Sequence, residues 1–438
     1  MRRQCDQQQA GGQDNFLQFH GDSPSGNSSQ RCSNGLRQTA PNHKHSPAAG
    51  FRVVATRGLR NAHPPALEIP QVQSFDPAQP LQHNGLMAAV ADIEQTLQEA
   101  VRAAFAAGTP LAICGSGTKR FYTGSVTGTA LAITGHRGIM SYEPTELVIT
   151  ARAGTPLAEI ETALAADNQM LGFEPPYFGP TATLGGTIAC NLSGPRRPYA
   201  GSARDFILGT RIINGKGEVL KFGGQVMKNV AGFDVSRLMA GSHGTLGALL
   251  DISLKVLPKP AQEITLTFQM GADEAVRGMN TWAGQPLPLS AACHLGDTLY
   301  VRLSGTDQGV RAAHSKLGGE HDTWGTAFWQ ELREHQLPFF AGEAPLWRLS
   351  VPSATPLLNL PGKWLLDWGG AQRWLRTSAN EADIRRVAEA AGGHATPFRN
   401  AVRPDPLHLS DPATSRLARD LQLAFDPSAI FNPTLSLA

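Results

Sequence analysis

Three short glycine segments, each joined to an apolar run, limit what this chain can build. Leu111-Ala112-Ile113 runs into Gly115-Ser116-Gly117-Thr118-Lys119. Thr181-Ala182-Thr183 opens onto Leu184-Gly185-Gly186-Thr187-Ile188-Ala189. Gly241-Ser242-His243-Gly244-Thr245-Leu246-Gly247 leads through the apolar Ala248-Leu249-Leu250 into a strand read over Ala248–Leu257. Glycine admits positive φ and lets another group lie against the backbone. With 46 Gly and 31 Pro among 438 residues, a helical bundle is excluded and an α/β or α+β fold with working loops is expected.

At roughly 100–200 residues per domain, the length allows about two to four domains. A formal net charge of +2 argues against a nucleic-acid partner held by bulk electrostatics. No apolar run approaches the ~20 residues a membrane-spanning helix needs. Cys5, Cys32, Cys114, Cys190 and Cys293 are scattered and form no C-x-x-C pair. No iron–sulfur cluster or structural metal site is therefore expected here, and the usage fits a reducing compartment.

Residues 1–86 differ from the rest. Gln and Ser recur with few large apolar neighbours, Pro64, Pro65, Pro70, Pro77 and Pro80 follow, and no helical or strand period persists. Such composition cannot bury enough apolar surface to offset chain entropy, so disorder is expected. Its charged start lacks the apolar core of a secretory signal, whereas its basic balance leaves an organellar transit peptide open. Organised pattern begins at Met87, which we read as the true start.

From there the periodicity predicts a helix over 88–107, with Val90, Ile93, Leu97, Val101 and Phe105 on one stripe. Thr129–Thr134 and Glu146–Ala151 read as strands. Thr155 is expected to cap a helix with Pro156 in its first turn. Phe206–Ile213 and Glu218–Phe222 read as a hairpin through Asn214-Gly215-Lys216-Gly217. Asp234 is expected to cap a short helix. Pro258-Lys259-Pro260 marks a domain boundary. Beyond it, alternating strands and helices predict a small α+β cap of two similar halves, and Asp411–Phe425 reads as a terminal helix.

The chemistry follows from the loops. Gly115-Ser116-Gly117-Thr118 can turn several N–H groups toward one anion, although it serves equally as a plain structural turn. It matches neither a G-x-G-x-x-G fingerprint nor a Walker A loop. Thr183, Gly185 and Gly186 open a short helix, where free N–H groups favour anions; close helix–strand packing is the competing reading. His243 reads as an exposed loop histidine and Cys114 as a buried structural thiol.

The order of these segments is more specific than any one. It resembles the FAD-binding domain of the vanillyl-alcohol oxidase / p-cresol methylhydroxylase (PCMH) type, whose chain end the run Ile430-Phe431-Asn432-Pro433 also resembles. Longer runs narrow the resemblance to the GlcE family of bacterial glycolate oxidase components over 87–438. These are Gly194-Pro195-Arg196-Arg197-Pro198, Gly223-Gly224-Gln225-Val226-Met227-Lys228-Asn229, Asp367-Trp368-Gly369-Gly370-Ala371 and Gly392-Gly393-His394-Ala395-Thr396. The resemblance implies an α+β fold: a two-subdomain PCMH-type FAD domain at 87–259, a smaller α+β cap at 260–400, and 401–438 returning to the first domain. It implies FAD contacts from Gly115, Ser116, Gly117, Thr118, Lys119, Thr181, Thr183, Leu184, Gly185, Gly186, Ala189, Gly194, Asp205, Gly244, Gly247 and Ile252. It further implies a larger flavoprotein partner, an iron–sulfur partner subunit, a small 2-hydroxy acid as the substrate of the complex, and a cytoplasmic location with any membrane contact made through partners.

Some relatives bond flavin to a histidine of the first loop. Cys114-Gly-Ser-Gly-Thr-Lys-Arg-Phe121 holds none, so FAD is expected to be non-covalent. The Gly-Asp-Gly-Asn…His stretch that serves self-sufficient relatives is also absent, and no metal is expected. His394, Arg196 and Arg197 remain candidates for substrate chemistry, with Lys228 a further basic group. Three readings stand: a flavin subunit relaying electrons, a self-sufficient 2-hydroxy-acid dehydrogenase, and a non-catalytic flavin-binding subunit.

Overall fold

A computed structural model describes residues 91–224, 234–400 and 411–435. The extension 1–86, the start at Met87, and Lys228 lie outside them.

The first lobe opens with α1 (Glu94–Ala107), which buries Leu97, Val101 and Ala104 and ends at Gly108 with φ 63°. The helix begins later than the stripe predicts. Ala91 is drawn into a backbone bridge with Arg137, and the Asp92 carboxylate accepts the Glu94 N–H at 3.0 Å, so the chain enters extended. Strands β1 (Leu111–Cys114) and β2 (Thr129–Ala132) then pair in parallel. A separate five-stranded antiparallel sheet is formed by β3 (Ile139–Glu143), β4 (Val148–Arg152), β5 (Ile207–Ile213), β6 (Val219–Gly223) and β7 (Ala248–Lys255). Its order is β3-β4-β7-β5-β6. The central β7 is buried on both faces, and its polar Asp251 and Ser253 are answered there by Arg211 and Thr150.

Two helices pack on these sheets: α2 (Leu157–Ala166) and α3 (Leu184–Cys190). Thr155 does not cap α2. Its hydroxyl is taken by the Gly138 N–H at 2.9 Å and Gly138 carbonyl at 3.2 Å, and Pro156 stands at the N-cap. Thr183 does cap α3, and Asp234 accepts the Arg237 N–H at the start of the turn Val235–Leu238. The hairpin between β5 and β6 closes because the Asn214 side chain accepts from Lys216 and Glu218 N–H groups.

The second lobe is an eight-stranded antiparallel sheet. Its first half contains β8 (Gln262–Gln269), α4 (Ala272–Ala283), β9 (Leu289–Leu295), β10 (Thr298–Gly305), α5 (Asp307–Leu317), β11 (Glu320–Asp322) and α6 (Gly325–Glu334). Its second half contains β12 (Leu346–Ser350), β13 (Lys363–Asp367), β14 (Gln372–Arg376), α7 (Glu381–Ala390) and β15 (His394–Arg399). The halves join where β9 pairs with β13.

The chain then comes back to the first lobe. Helix α8 (Pro412–Phe425) starts on an Asp411 cap. The Leu111 N–H donates to the Ile430 carbonyl at 2.7 Å, and the Asn432 N–H to the Leu111 carbonyl at 2.9 Å, with Phe431 fully buried. The two lobes also meet through rings and charges. Phe398 of β15 packs on Tyr122 and Phe121 at centroid distances of 4.8 and 5.5 Å. Half-buried Glu174 accepts from Arg196 of its own lobe and Arg302 of β10.

Candidate functional site

A cavity of about 670 Å³ lies beside the β1–β2 pair and reaches from the first glycine loop to α3 and the third glycine segment. Gly115, Ser116, Gly117, Thr118 and Lys119 line one wall. Among the described residues, none of their five N–H groups has a hydrogen-bond partner. Successive N–H groups left free of protein partners on a glycine loop that lines a groove can cradle an anion supplied from outside the chain. Gly117 holds φ 79°, and a Cβ there would lie 3.2 Å from the Arg120 Nε.

Thr183, Gly185, Gly186 and Ala189 form the opposite wall. Their contribution differs from the expectation. The Leu184 N–H donates to the Thr155 carbonyl, that of Gly185 to the Ala153 carbonyl, and that of Gly186 to the Thr183 hydroxyl. The first turn of α3 therefore has no free donors for an anion and instead supplies a close surface. A Cβ on Gly115 would stand 3.0 Å from the Thr183 hydroxyl, so the two walls need glycine to approach this closely. Gly244 and Gly247 complete the third side.

Lys119 is buried and points its ammonium at the Tyr177 carbonyl, 3.3 Å away. Burial pulls its pKa down, against the opposing influence of Cys190 and Glu334. Cys190 lines the groove as well, and burial pushes its thiol up to about 11. Cys114 is half-buried on the groove wall rather than enclosed, with the Arg120 guanidinium 3.6 Å from its sulfur.

His243 corrects the sequence reading most. It is buried, not exposed, and holds φ 50°. Its N–H donates to the Ala189 carbonyl at 3.0 Å, and its carbonyl accepts from the Asn432 side chain at 2.7 Å. The imidazole packs near Tyr122, and Nδ1 has no partner among the described residues. Burial first, then the Arg348 charge, lowers its pKa to about 4, so the ring is neutral at pH 7.

Other expected contacts sit away from the groove. Thr181 is exposed. Leu184 and Ile252 face the hydrophobic core of the first lobe. Asp205 is spent on Ser202, accepting from its N–H and hydroxyl at 2.8 Å each. Gly194 lines a smaller cleft by the second lobe. The three substrate candidates are also separated. Arg196 is buried, with its Nε on Glu174 at 3.2 Å and Nη2 on Glu263 at 2.6 Å, so its charge is already answered. Arg197 is exposed and stacks over Trp368, with its Cζ 4.3 Å from the ring centroid. His394 is exposed at the start of β15, where it pairs with Ser350 and lines neither cavity.

The sequence shows Asn432 only as part of a terminal motif. In the structure its side chain accepts the Ile113 N–H at 2.8 Å and donates to the His243 carbonyl, tying β1 to the third glycine segment. Nothing local in the sequence foretells bonds of that span.

These residues fit a flavin nucleotide. Unpaired N–H groups on a glycine loop answer a pyrophosphate, and the groove lies within the ~300–1,000 Å³ of small-molecule and cofactor sites. Among the described residues, no three His, Cys, Asp or Glu side chains converge as metal ligands, and no helix is long and apolar enough to cross a membrane.

Residues 86–223 match the family described as FAD binding domain. The chain is 51% identical over 342 residues to glycolate oxidase subunit GlcE of Escherichia coli, covering 78% of this chain and 97% of that one. It is 32% identical over 129 residues to glycolate oxidase subunit GlcD of Bacillus subtilis, covering 29% and 27% of the two chains. An alkyldihydroxyacetonephosphate synthase structure has the same fold, with a TM-score of 0.55, 14% identity, and 77% and 74% of the chains covered. The glycine loops, the tail that returns to them, and near-complete coverage of the Escherichia coli protein agree: the chain is an FAD-binding oxidoreductase component and belongs to the GlcE family of glycolate oxidase.

Proposed function

We propose that this chain is the FAD-binding subunit of a multi-subunit complex that oxidises glycolate to glyoxylate, and that its role is to pass electrons or support the partner flavoprotein. The run of unpaired N–H groups from Gly115 to Lys119 carries the cofactor reading. In this reading those groups hold the pyrophosphate, Gly185, Gly186 and Ala189 form a close wall, and Gly244 and Gly247 bound the nucleotide. When bound, FAD supplies one- and two-electron redox chemistry, while the protein supplies position and electrostatics. The FAD domain is assigned to 87–259, the cap to 260–400, and the returning tail to 401–438.

The groove's own titratable groups favour relay over primary oxidation. Removing a hydride from a 2-hydroxy acid requires a positioned proton acceptor. His243 has a pKa of about 4, a weak base at neutral pH, and the Cys190 thiol stays protonated. No histidine lies in the first loop, so the cofactor is held without a covalent bond. An iron–sulfur partner receives the electrons, and any membrane contact is made by partner subunits.

The test is purification of the tagged chain alone and with its partners. One FAD per chain, negligible glycolate turnover alone and turnover on assembly are expected. Full turnover by the isolated chain would contradict the division of labour.

A further inference from the structure

The stretch Pro175-Pro176-Tyr177-Phe178-Gly179-Pro180 lies between the first glycine loop and the second lobe, and its middle is gripped from both sides. From the loop, the Lys119 ammonium donates to the Tyr177 carbonyl at 3.3 Å, its single hydrogen bond among the described residues. A Cβ on Gly179 would stand 3.0 Å from Thr118 Cγ2, so the strap also lies against the loop one residue earlier. From the second lobe, the Glu334 carboxylate accepts the Tyr177 N–H at 3.1 Å and the Phe178 N–H at 2.9 Å. Phe178 holds φ 53°, which a bulky residue keeps only where its surroundings over-determine it.

Glu334 serves the strap rather than its own helix. It is the last residue of α6, and a helix C-terminus disfavours a carboxylate. Arg333 Nε answers part of its charge at 2.8 Å, and the two strap N–H groups take the rest. Bonds from backbone N–H groups to an ionised carboxylate are roughly twice as strong as neutral ones. Glu334 also acts on the buried Lys119 ammonium, whose charge it favours against the effect of burial. Proline on both sides restricts φ and leaves the strap little slack. The connection is therefore short. It runs from one carboxylate of the second lobe, through one peptide, to the ammonium of the residue that ends the run of free N–H groups in the groove.

We infer that Glu334 is a positioning residue of the flavin site, acting from the second lobe through the Tyr177 peptide and Lys119 to fix the first glycine loop. The inference rests on the groove reading proposed above and adds to it a residue of the other lobe. Coupling between two sites is reciprocal. FAD on the loop therefore tightens the clasp between Glu334 and the strap, as the clasp tightens the hold on FAD.

The test compares Glu334→Gln with Trp368→Phe in the full-length chain. The glutamine keeps one acceptor and loses the charge and the second acceptor. The phenylalanine cuts another bond between the lobes, from the Trp368 indole N–H to the Gly194 carbonyl at 3.0 Å, which does not touch the loop. Both variants should melt below wild type. In titrations of FAD-stripped protein with FAD, only Glu334→Gln should bind at least tenfold more weakly. In a Lys119→Met background the same substitution should cost clearly less, because the connection is already cut. Arg311→Gln, which removes an exposed arginine of α5, should bind FAD as wild type.

Hydrogen exchange reads the clasp directly. Between Pro175 and Pro180 only Tyr177, Phe178 and Gly179 carry an N–H, so exchange of this peptide reports the bonds to Glu334. Adding FAD should slow it in wild type and leave it fast in Glu334→Gln. FAD affinity that falls no further in Glu334→Gln than in Trp368→Phe, or exchange that FAD does not slow in wild type, overturns the inference. Gly117→Asp separates the two readings. Retained FAD in that variant strikes the groove and this inference with it, whereas lost FAD there with wild-type binding by Glu334→Gln strikes this inference alone.

Discussion

Asn432→Ala isolates the clamp that holds the flavin groove together. Asn432 is buried, and its side chain satisfies the Ile113 N–H and the His243 carbonyl. Alanine leaves both without protein partners when FAD fills the groove, at a cost of about 1–3 kcal/mol each. Asn432 also holds φ 45°, which asparagine tolerates and alanine resists by about 1 kcal/mol. The sum is about 3–7 kcal/mol, a large part of a typical stability of about 5–15 kcal/mol. Asn432→Gly removes the same side-chain bonds without the backbone penalty, so it should recover about 1 kcal/mol relative to alanine. Urea unfolding of the FAD-loaded proteins measures these differences, and absorbance of the filtered protein measures retained flavin. Both variants should also lose FAD more readily, because Ile113 lies in the strand that runs directly into the glycine loop. If Asn432→Ala unfolds within about 1 kcal/mol of wild type, the clamp does not hold the groove.

Other perturbations reach the same groove. Gly117→Asp should lose FAD, since it puts a carboxylate against the anion seat and a side chain at φ 79° beside Arg120. Gly186→Val should also lose it, because a Cβ there already stands 3.2 Å from the Thr183 hydroxyl; yellow, fully loaded variants would count against these walls. Acid or heat denaturation should release all FAD, with no flavin fluorescence left on the peptide band. The His243 pKa of about 4 lies below its unfolded value, so folding favours the neutral ring. Its contribution is fully present above about pH 6.5 and is lost as pH falls toward 4, about 3 kcal/mol in all. Stability measured from pH 7 to 4 should therefore fall less steeply in His243→Gln, and an unchanged slope would refute the buried neutral assignment.

What the sequence makes legible is local. The Thr183 and Asp234 caps, the Asn214 turn and the Asp411 start each need only residues within a turn of one another. Strand β7 reads plainly from its Leu and Ile residues, although it also buries Asp251 and Ser253. Helix α4 escapes the periodicity because its buried positions are only Ala275, Val276 and Met279, set among charged residues. Strand β9 escapes it because Ser290-Ala291-Ala292-Cys293 lacks the β-branched residues that mark a strand. Within the site, the first glycine loop is readable as an anion seat, but the spent donors of α3 are not. Their partners, Thr155 and Ala153, lie on another stretch of chain. The same limit explains Arg196, which looks available in the sequence because Glu174 and Glu263 reach it from distant strands and loops. It also explains His243, whose loop is sealed by a residue from the end of the chain.

Rapid mixing of glycolate with the assembled complex tests the division of labour most directly. The complex should carry Gly117→Asp in this chain, so that only the partner flavoprotein holds flavin. The relay account predicts that glycolate still reduces the partner's flavin at the wild-type rate, while delivery of electrons to the terminal acceptor falls. If glycolate reduces no flavin, although the partner is folded and loaded, this chain carries the primary oxidation and the account is wrong.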